Sequence, residues 1–220
     1  MINLLKMRVT QICEFIRSNG WSSFLHETIY INRKAILVEK KLPEVNDSTV
    51  FLQRSNIKFI EITPETFTNN NYQYLFRNRY LKAVHYLGKG YRSHAIVRGN
   101  KIIGDIWYFA SGKSEHVLDH PDIQWLGIKW SQDYVYSFDI FVVPDERGNN
   151  LAATLQNSAM YSLRDKGYLK AYAYYWADNI PAVWNTRVIN KWRELKTLRL
   201  NRFLFLKKVV GESEIRSNCK

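Results

Sequence analysis

Residues 137–155 read SFDIFVVPDERGNNLAATL. The first half is an apolar run interrupted by Asp139, with the β-branched and aromatic content of a strand, and Pro144 stops it. The second half opens a helix, because Leu151, Leu155, Ala159 and Leu163 recur at i+4 spacing and Gly167 supplies a C-terminal stop. Where a strand gives way this abruptly to a helix, the first helical N–H groups lack intrahelical partners and converge on one spot. The helix dipole favours negative charge at the same spot. An anion such as a pyrophosphate fits there. Gly148 removes a side chain that would hold phosphates off, Arg147 adds charge-assisted bonds, and Ala152 leaves room for close approach.

Downstream, residues 169–176 read as another strand, Pro181 sits in the first turn of a helix running to about residue 195, and residues 198–209 form a last strand. Upstream, residues 57–62 read as a strand, Pro64-Glu65 opens a helical stretch, and a second helical pattern over 72–87 ends at Gly88 and Gly90. Residues 94–98 and 101–110 are apolar runs joined by Gly99-Asn100, which signals an antiparallel hairpin. Residues 111–133 are polar and irregular and predict a long loop. Near the N-terminus, Ile2, Leu5, Val9, Ile12 and Ile16 recur at spacings of three and four, the pattern of an amphipathic helix. The run IYINRKAILVEKK, ending at Lys41, reads as one or two strands before a polar turn over 43–48. This order predicts an α+β domain with a mixed sheet over residues 57–210. An N-terminal helix-and-strand extension, residues 1–56, is expected to pack on it, and residues 211–220 to form a flexible C-terminal tail.

The 137–155 segment resembles the acyl-CoA-binding core of the GNAT superfamily of N-acetyltransferases, whose strand ends in an apolar residue and Pro before the pattern R/Q-x-x-G-x-G/A. Arg147, Gly148, Asn149, Asn150, Leu151 and Ala152 occupy that pattern. The strand at residues 171–176, followed by Asp178, Asn179, Pro181 and Ala182, matches the family's next strand and the helix that lies beside the pantetheine arm. The resemblance spans residues 57–209, with only 143–152 specific to the family. It implies a central mixed, mostly antiparallel sheet flanked by helices on both faces. It also implies an N-acyltransferase that moves an acetyl or other acyl group from acyl-CoA to an amine by direct attack, with no metal. Two positions depart from the family. Asn150 stands for the central Gly, a substitution that tolerates left-handed backbone angles but adds a side chain beside the cofactor. Thr186 stands where many members carry a Tyr acid.

That chemistry has three needs. The matching oxyanion donors are backbone N–H groups among Phe141, Val142 and Val143. For the base, Asp139 and Asp105 each interrupt an apolar strand, on neighbouring strands that could share a cleft, and either fits. For the proton donor to the leaving thiolate, Tyr174 stands with Tyr172 and Tyr175 as substitutes on the strand before the late helix. Glu115, His116, Asp119, His120 and Asp122 could be read as metal ligands, but Pro121 and the absence of apolar periodicity favour a loop.

Composition bounds the rest. A chain of 220 residues with 46% hydrophobic and 15% aromatic content can bury one substantial core. Its net charge of +12 attracts CoA phosphates, acidic carriers and nucleic acid alike. An acyl carrier protein or aminoacyl-tRNA as donor therefore stays open. So does a non-enzymatic nucleic-acid module built on the basic residues between Arg187 and Lys208, with Trp184, Trp192, Phe203 and Phe205 stacking on bases. Cys13 and Cys219 show no metal or disulfide pattern, and no apolar run approaches the roughly 18 residues of a membrane span, which predicts a cytoplasmic protein. The N-terminal helix could bury its face against a second copy, leaving a homodimer open.

Overall fold

The computed structural model describes residues 9, 12–13, 16–17, 21, 30–48, 52, 56–68, 72–110, 120–203 and 206–215. Among the described residues, nine strands form one sheet: β1 (Tyr30–Lys41), β2 (Lys58–Ile62), β3 (Gln73–Tyr74), β4 (Arg92–Arg98), β5 (Lys101–Ala110), β6 (Tyr134–Val142), β7 (Lys170–Trp176), β8 (Arg193–Phe203) and β9 (Leu206–Glu214). Their order is β2-β4-β5-β6-β7-β1-β8-β9, with β3 paired to β5 off this path. The β6–β7 and β3–β5 pairings are parallel and the others antiparallel. The α+β class and the mixed, mostly antiparallel sheet expected from the sequence are present.

The helices are α1 (Pro64–Thr68), α2 (Arg77–Gly88), α3 (Pro121–Trp125), α4 (Leu151–Asp165) and α5 (Ile180–Val183), the last continuing as a π-helix over Trp184–Ile189. They cover both faces. On one face α4 buries Leu151, Leu155, Ala159 and Leu163, the residues whose spacing predicted the helix, against Ile106, Tyr108, Val135 and the small Ala171 and Ala173. On the other, Ala83 of α2 and Ile123 of α3 meet Trp107, Phe109, Tyr136 and Tyr172. Strand alternation sorts β7 cleanly: Ala171, Ala173 and Tyr175 face α4, while Tyr172, Tyr174 and Trp176 face the opposite layer. No helix among the described residues is long and apolar enough to cross a membrane.

Several local readings change. The segment read as an extension contributes β1, an interior strand bonded to β7 on one edge and β8 on the other, so residues 30–41 are built into the sheet instead of resting on it. The single last strand expected at 198–209 is a hairpin of β8 and β9, and β9 reaches Glu214, into the stretch expected to be a flexible tail. The helix expected to run to residue 195 ends at Ile189, and β8 starts at Arg193. Inside the expected 111–133 loop, Pro121 starts α3, with His120 as its N-cap accepting from the Asp122 N–H at 3.2 Å. Glu115, His116 and Asp119 lie outside the described residues, as does most of the predicted N-terminal helix, of which Val9, Ile12 and Ile16 are helical.

Beneath α4, His94 lies between two hydroxyls, with Tyr108 Oη 3.0 Å from Nδ1 and Ser162 Oγ 3.1 Å from Nε2, and stacks on Phe59. Burial lowers its pKa from 6.5 to about 4; Glu61 opposes the shift and Lys166 adds to it. The unfolded chain therefore takes up this proton first, so the ring's contribution to stability is intact above pH 6.5 and is lost as pH falls towards 4. Thermal unfolding from pH 7 to 4 should show this loss, on the order of 3 kcal/mol, and His94→Gln should flatten the slope in that window.

Candidate functional site between two parting strands

β6 and β7 pair in parallel register from Tyr134↔Lys170 to Ser137↔Ala173 and no further. Beyond that point β6 stays on β5 as far as Val142, and β7 stays on β1 as far as Trp176. The strands thus diverge, and the backbone groups on their facing edges have no strand partner. A register shift in the β5 pairing leaves Phe138 unmatched between Ser137 and Asp139, a bulge at the point of parting that adds local twist. Gly104 lets β5 approach β6 closely, since a Cβ there would stand 2.9 Å from the Phe141 carbonyl oxygen.

Alternation along β6 separates the three oxyanion candidates. The Val143 N–H donates to Ile103 O at 2.9 Å, towards β5, and Phe141, two residues earlier, points the same way. Val142 presents its backbone to the gap, and its carbonyl accepts from Arg147 Nε at 3.1 Å. Of the three, only Val142 has an N–H on the open edge.

After β6 a 3₁₀ turn over Pro144–Glu146 leads to Arg147, Gly148 at φ 97°, and Asn150 at φ 55° and ψ 16°. Asn150 has therefore adopted the left-handed conformation that Gly takes at no cost and Asn tolerates better than other residues. Its side chain makes no capping bond, so the N–H groups of Leu151, Ala152 and Ala153 open α4 without intrahelical or side-chain partners. Asn149 and Gly148 are exposed beside them. Arg98 neutralises Glu146 at 3.0 Å, which limits the negative charge beside these N–H groups. On the other side of the gap, Asn179 caps α5 by accepting from the Ala182 N–H at 3.2 Å.

The two carboxylates singled out in sequence meet in one cluster on the α2 face. Arg79 donates to both: to Asp105 at 2.5 Å and to Asp139 at 3.1 and 3.2 Å. Lys82 reaches Asp139 at 2.6 Å, with Tyr86 Oη at 3.3 Å, while Tyr74 and Trp107 donate to Asp105 at 3.0 and 2.7 Å. Burial pushes the Asp139 carboxyl up, but Arg79 and Lys82 outweigh it and the net shift is downward. Asp105 stays above the usual carboxylate range, because burial dominates and the Asp139 charge adds to it, against Arg79. Asp139 is 12% exposed and Asp105 1%, so Asp105 is sealed in the core. The Arg79 guanidinium also lies 4.8 Å over the Phe141 ring, linking the cluster to the edge of the gap.

Tyr174 is the first β7 residue past the last β6 pairing. Its ring packs edge-on against Trp125 at 5.2 Å and Trp176 at 5.4 Å, on the same face as the carboxylates. Thr186, in the family's Tyr position, is buried in the π-helix. Sequence reasoning missed Arg79, Lys82 and Tyr86. A signal was present: they recur at spacings of three and four with the buried Ala83 beside them, which sets two cations on a core-facing stripe that calls for buried anions.

No family model matches the chain, and no curated protein matches it. Solved structures do. A fungal multi-domain GH3 beta-N-acetylglucosaminidase contains a GCN5-related glucosamine N-acetyltransferase region that matches this chain with a TM-score of 0.58 and 17% identity, over 89% of this chain and 23% of that one. A tandem GNAT protein of the clavulanic acid pathway matches with a TM-score of 0.48 and 13% identity, over 92% of this chain and 59% of the other. A GNAT-family acetyltransferase from Colwellia psychrerythraea gives 0.47 and 9%, over 82% and 59%. The chain spans less than two thirds of each of these proteins. Together with the parted parallel strands, the match at 0.58 gives the chain the GNAT fold.

Two substitutions test the geometry. Arg79→Met leaves Asp105 without a cation and Asp139 with Lys82 alone, and should cost about 3–5 kcal/mol in denaturant unfolding. Asn150→Val places a β-branched residue at positive φ and should cost about 1–2 kcal/mol, whereas Asn150→Gly should be near neutral.

Proposed function

We propose that this protein is an N-acyltransferase that carries an acyl group, acetyl in the simplest case, from acyl-CoA to an amine. The observation that carries the reading is the parting of β6 and β7 directly beside the uncapped start of α4. An extended amide-bearing arm between the strands would complete their open edges, and a pyrophosphate would take the free N–H groups of Leu151, Ala152 and Ala153. Arg147, Gly148, Asn149 and Asn150 form the wall of that cradle, and Asn179 and Ala182 open the helix on the far side of the gap.

In the proposed reaction the amine nitrogen attacks the thioester carbon, the C–S bond breaks, and the carbonyl oxygen carries negative charge in between. The Val142 N–H is the donor on the open edge for that oxygen. Asp139, held ionised by Arg79 and Lys82, presents a fixed negative charge to the nitrogen as it becomes positive, and the proton leaves through water. Asp105 shares Arg79 and so positions Asp139 without touching the reactants. Tyr174 is the proposed proton donor to the departing thiolate.

The test is thermal unfolding with acetyl-CoA at about a hundred times its dissociation constant, where binding adds about 2.7 kcal/mol. Arg147→Ala should weaken binding about tenfold, through loss of a charge-assisted bond. Asn150→Gly should strengthen it. No shift with acetyl-, succinyl- or longer acyl-CoA would overturn the donor assignment.

A further inference from the structure

A cleft of about 400 Å³ opens on the flank of α4, away from the carboxylate cluster, between the first two turns of that helix, the loop after β1 and the end of the π-helix. Its size suits a small ligand. We propose that this cleft binds a phosphate monoester, with Lys40 and Lys191 as the cations that hold it.

Charge is the first support. Lys40 and Lys191 face the cleft, and Glu44 is the one carboxylate among its lining residues. Glu44 already stands 3.5 Å from the ammonium of Lys41, which lies outside the lining. The Lys40 ammonium donates to Asn190 O at 3.0 Å from a half-buried position. Burial lowers its pKa, Glu44 opposes this, and the charge of Lys191 lowers it further. Two ammonium groups that repel each other across a concave surface make an anion site.

Backbone conformation is the second, independent support. Lys191 sits at φ 50°, a left-handed angle that a long side chain adopts only where its surroundings impose it. Those surroundings are visible. The preceding Asn190 is buried and its side-chain amide donates to Ala153 O at 3.0 Å and Gln156 Oε1 at 2.8 Å. The following Trp192 is buried, and its N–H donates to Thr186 O at 2.9 Å. The chain is pinned on both sides of Lys191, which leaves that exposed side chain at the cleft. The opposite wall is equally fixed: Asn157 Nδ2 donates to Asn46 O at 2.8 Å and to Ser48 Oγ at 3.1 Å, and Ser48 Oγ lies 2.9 Å from Ser158 Oγ.

Two sources could supply the phosphate. Thr154 and Asn157 lie one to two turns into α4, roughly 5–9 Å along the axis from its first N–H groups. A nucleotide whose pyrophosphate occupies those groups can place its ribose phosphate here, so the first source is the 3′-phosphate of CoA, and it rests on the donor reading above. The second is a free phosphorylated metabolite, which does not.

Calorimetric titration of the full chain with CoA, 3′-dephospho-CoA and inorganic phosphate separates these, using wild type, Lys191→Gln and Lys191→Arg. Lys191 is exposed, so both variants should keep the wild-type melting temperature without ligand. With CoA as the source, CoA binds about tenfold more tightly than its dephospho form, Lys191→Gln erases the difference without weakening the dephospho form, and Lys191→Arg retains it. With a free metabolite as the source, the two nucleotides bind alike or not at all, while inorganic phosphate binds wild type and Lys191→Arg but not Lys191→Gln. Failure of CoA to bind would sink the donor reading and leave the phosphate arm to judge the cleft. Equal binding of both nucleotides together with no Lys191-dependent phosphate binding would overturn the proposal.

Discussion

Backbone amides and carbonyls that leave a sheet must find other partners, and at the centre of this sheet two rows of them face each other across an opening. β6 and β7 begin as an ordinary parallel pair and then follow different neighbours, β6 along β5 and β7 along β1. Apart from the bulge at Phe138, each strand is paired along its outer edge, so neither can swing back without breaking a ladder. The bulge at Phe138 sets where the departure begins, and the helices that follow each strand start at the wide end of the gap. An opening held from both sides is preorganised: a guest that supplies amide partners meets edges already in place and displaces only water.

The N-terminal segment is what holds the right-hand wall. β1 runs antiparallel to both β7 and β8 and buries Ala35, Leu37 and Val38 almost completely. Its β-branched run was legible as strand, but its place between two strands from the far end of the chain was not. Strand propensity is local, whereas pairing partners are chosen by the whole sheet. The same limit explains the last hairpin, where Arg199 and Lys208 on exposed positions blur the alternation that would have shown two strands. The π-helix is a third case. Its added residue puts Thr186 inside and Asn190 under α4, a choice made by packing with no trace in the i+4 pattern.

The turn from β6 into α4 was legible because its signals are local and agree: a proline stop, a glycine and an apolar helical stripe within one short segment. Asp105 and Asp139 were legible as interruptions of apolar strands, and register brings them near each other, with Asp105 opposite Phe141 and Asp139 opposite Trp107. Their partners were not read, because Arg79 and Lys82 sit on a helix that precedes both strands, with β4 between it and β5 and the whole β4–β5 hairpin before β6. A cation on an amphipathic helix is ordinarily solvated, so burial of this pair only makes sense once the sheet supplies the carboxylates.

Charge is divided across the opening. On the α2 face two carboxylates are matched by one guanidinium and one ammonium within an apolar and aromatic surround, so the cluster is neutral overall yet strongly polar locally. On the α4 side, Arg147 and the first helical N–H groups carry positive potential with Glu146 already paired to Arg98. In the proposed reaction the two sides would take unlike guests: an anion where α4 begins, and a group that becomes positive beside Asp139. Because Asp139 is ionised by its neighbours and not by solvent, its charge persists when water is expelled, which is the condition under which a fixed charge exerts its largest effect. The structural cluster and the site chemistry are thus one arrangement. The ion pairs that fasten α2 to the sheet also set the field at the edge of the gap.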